Sequence, residues 1–234
     1  TSQSADTRFI AIPHNANVSN GLMYSRENLD GTPITADQAA QRIKWEPVTE
    51  MTQIKGDAET HPTQSPDDEF ADFGTYDHLL DAAGAAAGGE VASVAKEGDY
   101  VRRALRVGME IEKSLGTNPF KFGMVGSTDA HSTMASAEEP NFWGKFAIDS
   151  TPANRRDMGI LPGASNMFGV NAAGLAAVWA EENTRESIYE AFMRKEVYAT
   201  SGPRISLRVF GGYSFEPGDA MSADVAQVGY THGV

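Results

Sequence analysis

Cysteine is absent from all 234 residues, which rules out a disulfide framework, a thiolate nucleophile and a structural zinc site built on Cys. Any metal ion must then be held by histidine, carboxylate or carbonyl groups. The lack suits an exported protein and a cytosolic one equally. Basic residues are scarce: 19 Lys and Arg stand against 32 Asp and Glu, a net charge of −13. Such a surface repels phosphate backbones, and no basic stripe interleaved with aromatics is present, so no nucleic-acid partner is expected. No apolar run approaches the length of a membrane span, and no membrane partner is expected either. Residues Thr1 to Asp6 contain no initiator Met and no basic-then-apolar leader. With a strand beginning almost at once, the chain is expected to be the C-terminal part of a longer protein.

What is present is the pattern of an α/β domain. Arg8-Phe-Ile-Ala-Ile-Pro13 is a short continuous apolar run, the mark of a strand buried on both faces. Thr35-x-x-Gln38 is a capping box that predicts a helix over about residues 36–44, with Pro47 beyond it. Residues 50–55 and 120–125 read as two more strands. Between them Val101, Ala104, Leu105, Gly108, Ile111 and Leu115 form one helical stripe that Gly116 stops. Residues 174–179, 197–200 and 205–210 complete the strands, and Asn183-x-x-Glu186 predicts the cap of a helix between the first two. Loop insertions are expected at about 62–98 and 133–173, with a short helix near Phe70–Leu80, a flexible turn at Gly84–Gly89, and Phe142, Trp143 and Phe168 as apolar anchors. Strands alternating with helices predict a mostly parallel sheet, in a domain of residues 1–212 followed by a C-terminal extension at 213–234.

In parallel α/β folds, functional residues gather where strands end. Three predicted strands end in ligand-type residues: His14; then Asp57, Glu59 and His61; then Asp129 and His131. Imidazole with hard carboxylate oxygen is the usual donor set for zinc, manganese or iron. If the backbone at Asp129-x-His131 is still extended, its two side chains point the same way, because strand period is two. Gly126 would let the chain bend just before them. Each residue also has an ordinary role open to it: His14 as a hydrogen-bonded turn residue, Asp57 and Glu59 as a solvated turn, His61 as an exposed residue ahead of Pro62. His78 and His232 read as non-functional.

Several segments together resemble one family. They are Ile-Pro-His14-Asn, the Gln53-Ile-Lys-Gly-Asp57-Ala-Glu59 stretch, Gly126-Ser-Thr-Asp129-Ala-His131-Ser, and the segment from Thr184 through Tyr198-Ala-Thr-Ser-Gly202. The chain resembles the bacterial domain-of-unknown-function family 3604 over about residues 8–212, itself similar to the PHP (polymerase and histidinol phosphatase) superfamily of metallohydrolases. That resemblance implies part of a distorted (β/α)7 barrel carrying two or three divalent ions (Zn, Mn or Fe) at the strand ends. By motif it implies His14, Asp129 and His131 as metal ligands, with Glu59 as a further candidate and Asn15, Asn17 and Ser132 orienting them. The superfamily's opening His-x-His motif is not in these residues, so the chain is expected to hold half of a site and to be inactive alone. The implied activity is hydrolysis of a small anionic ester, a phosphoester or a relative, by a metal-activated water. Lys55 and Arg204 are candidates for gripping that anion by charge. A non-catalytic PHP-like binding domain, and hydrolysis of an amide or sulfate ester, are the alternatives.

Overall fold

The computed structural model describes residues 8–77, 95–133, 136–142, 144–147, 152–153, 170, 172 and 174–233. His78, Leu79, Leu80, Gly84 to Gly89, Trp143 and Phe168 lie outside them. By contact the chain divides into two units, Thr1–Pro203 and Arg204–Val234.

The first unit is organised by local signals that the sequence states openly. Thr35 accepts the Gln38 N–H and Gln38 returns the bond, so the capping box opens α1, Ala36–Trp45. After Pro47 the chain enters β1, Val48–Gln53, buried almost throughout. A tight turn through Ile54 and Lys55 leads to the two-residue β2, Gly56–Asp57, antiparallel to β1. The stripe predicted for the long helix forms α2, Val101–Leu115; Val101, Ala104, Val107, Gly108 and Ile111 face the core, and Gly116 ends the helix at φ +75°. That face packs with Tyr24, Phe120 and Phe122. The Tyr24 hydroxyl is 2.6 Å from Thr49 Oγ1, so the ring's one polar atom is satisfied inside the core.

β3, Gly123–Gly126, pairs parallel with β1, with Glu50 opposite Val125 and a register irregularity before Thr52. β4, Leu175–Val178, and β5, Val197–Thr200, form an antiparallel pair joined by α3, Arg185–Arg194. The cap of α3 is Thr184, which accepts the Ser187 N–H, one residue later than the Asn183 box predicts. Residues 8–13 form no strand: the Ala11 N–H donates to the Trp45 carbonyl at 2.6 Å, and the Glu50 N–H donates to the Pro13 carbonyl at 3.1 Å. Pro13 has no N–H to continue the pairing.

In the second unit α4, Val225–His232, is capped by Asp224, whose side chain accepts the Gln227 N–H. The Phe210 and Tyr230 rings meet edge-on at 5.2 Å. Residues 205–210 alternate as a strand should, yet form no strand among the described residues; alternation sets a strand's faces and does not supply its partner. His232 packs on Phe215.

Candidate functional site

The cluster forms at the edge where the parallel strands β1 and β3 end and the antiparallel β2 begins. His14 follows residues 8–13, and Asn15 turns the chain back with φ +61°. Glu50 lies mid-strand in β1 and is 5% exposed. A buried carboxylate in a strand needs donors, and it has three: His14 Nδ1 at 2.8 Å, the Asn15 N–H at 3.1 Å and the Ser127 hydroxyl. With Nδ1 donating to Glu50, neutral His14 carries its lone pair on Nε2. That nitrogen faces Asp129 Oδ1 at 3.7 Å.

Asp129 is not extended. Its φ is +46°, a left-handed conformation that Asp tolerates better than most residues. The same-side projection expected from strand period therefore does not apply at Asp129-x-His131. Two other contacts bring the pair together. The His131 N–H donates to the Lys145 carbonyl at 2.6 Å, and the Phe146 ring meets the imidazole edge-on at 5.0 Å. His131 Nε2 then lies 3.2 Å from Asp129 Oδ1 and 3.3 Å from Lys145 Nζ, able to donate to the first or accept from the second according to tautomer. Gly126 is not at a left-handed bend either; a Cβ there would sit 2.7 Å from the Leu175 carbonyl oxygen, so its smallness serves close packing.

Two ammonium groups meet Asp129. Lys145 Nζ donates to Oδ2 at 2.6 Å and to the main-chain carbonyl at 2.8 Å, and Lys55 Nζ donates to the same Oδ2. Burial alone pushes the Asp129 carboxyl up, but the bonds from Lys145 and Lys55 outweigh it and hold it at about 2. Burial lowers the Lys55 ammonium, against the pull of Asp129. Asn17 supports this edge by donating Nδ2 to the Lys55 carbonyl at 2.9 Å, and the Asn15 side-chain oxygen accepts from Gln53 Nε2.

The other candidates are placed elsewhere. Glu59 is exposed and pairs with Arg102. His61, expected to be exposed, is buried at 6%, contacts Thr63 and Asp77, and packs on the Tyr100 ring. Ser132 follows the cluster half-buried, and Arg204 opens the second unit, exposed. Asp57 accepts the Glu59 N–H at 2.9 Å, and burial pushes its carboxyl up to about 7. A raised carboxyl contributes stability that is complete below the unfolded value near 4 and is lost as pH rises through about 7. Asp57→Asn is therefore expected to flatten the fall in stability over that window and to gain at least ~1 kcal/mol on the wild type at pH 8. Urea unfolding at pH 4 to 8 checks this, and parallel curves for the two proteins would refute it.

His14 Nε2, Asp129 Oδ1 and His131 Nε2 are donors of the type a divalent ion takes, and Glu50 behind His14 matches the carboxylate–histidine support common at metal centres. As they stand, no three His, Asp or Glu side chains among the described residues form a group that could hold an ion. The ammonium groups of Lys55 and Lys145 take up Asp129 Oδ2 instead.

The family described as "Protein of unknown function (DUF3604)" has a model that matches residues 1–234. The chain belongs to this family. No curated protein and no solved structure matched the chain. Within this DUF3604 chain, sequence reasoning missed Glu50 and Lys145. A signal existed for Glu50: it opens the strand expected over residues 50–55, and a charged residue buried in a strand requires partners. Lys145 had none, since it stands in a loop and reaches Asp129 only through tertiary folding.

Proposed function

We propose that the natural full-length protein is a metal-dependent hydrolase of a small anionic ester, related to the PHP superfamily and built on a distorted (β/α)7 barrel of which these strands are part. The observation that carries the reading is the approach of His14 Nε2 to Asp129 Oδ1 at 3.7 Å, with buried Glu50 fixing the imidazole from behind. Two electron-rich atoms facing each other at that distance call for a cation between or beside them. His14, Asp129 and His131 would hold one or more of two or three divalent ions, as part of a larger ligand set. When bound, such ions supply Lewis-acid polarisation of the ester and a water acidified toward neutral pH. The chain's own contribution is orientation: Glu50 sets the His14 tautomer, while Lys145 and Phe146 seat His131.

The test is elemental analysis of the full-length protein, followed by assay on aryl phosphate, sulfate and amide substrates. The side chain of His14 is 44% exposed, so His14→Ala is expected to keep the fold while losing bound metal and at least ~100-fold in turnover. Unchanged metal content and activity would reject the site. A second reading is a non-catalytic binding domain, favoured by the two lysines that already neutralise Asp129; metal-free wild-type protein with no turnover on any of the three substrates would select it.

A further inference from the structure

Asn20 is the only asparagine of the chain that a glycine follows. Glycine carries no side chain to shield its nitrogen, so the Gly21 nitrogen can reach the side-chain carbonyl carbon of Asn20. Its attack closes a five-membered imide and releases ammonia, which carries away the nitrogen's proton. Water then opens the ring at either carbonyl and leaves aspartate or isoaspartate at position 20. The amide itself is open to this reaction: Asn20 is exposed, and its side chain has no hydrogen-bond partner among the described residues. The attacking nitrogen is not. Ser19 to Leu22 form a tight turn, closed by the Leu22 N–H donating to the Ser19 carbonyl at 3.3 Å. Both central residues are left-handed, with φ +58° at Asn20 and +82° at Gly21, the pattern of a type I′ turn. Within it the Gly21 N–H donates to Oδ1 of Asp99, a carboxylate only 1% exposed. The Ser19 hydroxyl at 3.0 Å and the Lys96 N–H at 2.7 Å hold that carboxylate in place. The Tyr24 N–H, donating to the Gly98 carbonyl at 3.0 Å, ties the two segments together again just beyond the turn.

We propose that Asn20 is a deamidation site kept closed by Asp99: the folded turn preserves the amide, and release of the Gly21 nitrogen from that carboxylate converts residue 20 to aspartate or isoaspartate. Two effects of Asp99 act in the same direction. A negative charge against the Gly21 N–H disfavours loss of its proton, which the attack requires. The bond also commits the nitrogen to Asp99, so the turn must open locally before the imide can form. A hydrogen bond to a charged acceptor held away from water opens rarely, which cuts the reactive population at least ~10-fold. The modification would add a negative charge or, as isoaspartate, an extra backbone carbon. It would do so in the segment that leads away from His14, shortly after Asn17, whose side chain holds the Lys55 carbonyl.

The chain is incubated at pH 8, folded and in guanidinium chloride, and sampled by tryptic digestion and mass spectrometry. The peptide of residues 9–26 carries Asn15, Asn17 and Asn20 together, so fragmentation assigns the exchange of NH2 for OH and supplies two internal controls. Asn20 of the folded wild type is expected to react at least ~10-fold more slowly than in the denatured chain. Asp99→Ala is expected to restore most of that rate while circular dichroism still reports a folded protein. Gly126→Ala, which destabilises the fold away from Asp99, is expected to leave the Asn20 rate near that of the wild type. If Asp99→Ala unfolds, Ser19→Ala takes its place, since it removes one bond that fixes the carboxylate; a rise in the Asn20 rate alone is then the expected result. Equal rates in the folded and denatured wild type would overturn the proposal. So would a folded clamp variant that reacts no faster than the wild type, or a Gly126→Ala protein that reacts as fast as the clamp variant.

Discussion

Asp129→Ala is expected to destabilise the first unit by about 3 kcal/mol or more, the cost of breaking a buried ion pair from one side. The carboxylate is 8% exposed and is the shared partner of Lys55 and Lys145. Without it, two neighbouring ammonium groups are left to repel each other with little water to screen them. In a chain of this size that is a fall in melting temperature of about 6 to 12 °C. Acid titration gives a separate check. The Asp129 carboxyl is held at about 2, so its contribution is present above the unfolded value near 4 and is lost as pH falls through about 2. The variant is expected to lack that part of the acid response. Asp129→Asn, which keeps an acceptor oxygen and loses the charge, is expected to fall between the two. A melting temperature for Asp129→Ala within a degree of the wild type would show that the lysines find water or another partner, and the charge argument would fail with it.

The second large effect is expected at Gly126. A Cβ built there lies 2.7 Å from the Leu175 carbonyl oxygen, 2.9 Å from its nitrogen and 3.0 Å from the Thr200 carbonyl oxygen. All three are backbone atoms of the β4–β5 pair, so no side chain can swing aside. Gly126→Ala is expected to cost about 3 kcal/mol, the upper end of overpacking, despite alanine's lower backbone entropy cost. The damage should reach the site, because Ser127 follows directly: its N–H donates to the Thr52 carbonyl at 2.9 Å, and its hydroxyl donates to Glu50. Gly218→Ala is the comparison, since a Cβ there meets nothing within 4 Å and its φ is −78°. Thermal melts of both variants decide the matter; equal melting temperatures would show that β3 can move away from β4 and β5 freely.

The contrast between Gly126 and Gly116 shows where sequence reasoning stops. Gly116 ends α2 in the left-handed region, as a glycine after a periodic apolar stripe should. Gly126 is needed for what lies beside it, and the segment that lies beside it begins nearly fifty residues later. The same divide separates the two capping signals. Thr35 and Gln38 bond within one turn, so their roles can be read from the letters; Asn183 and Thr184 compete for one cap, and geometry chose the second. Residues 205–210 carry a strand's alternation and form no strand among the described residues, because a ladder depends on a second segment that local pattern does not name.

For the site, the amino-acid sequence by itself determined which residue types were available and that Asp129 and His131 follow a strand, β3, because hydrophobic runs and their stops are local properties; the strand expected before His14 does not form. It also determined family membership, which follows from the whole string of residues. Tertiary structure alone decided that His14 and Asp129 face each other, that Glu50 backs His14, and that Glu59 turns away to Arg102. It alone brought Lys145 onto Asp129 beside Lys55. The physical reason is that electrostatic partnership is set by distance through space, and a left-handed turn at Asp129 with a loop folding back over His131 creates distances that no spacing in the chain encodes.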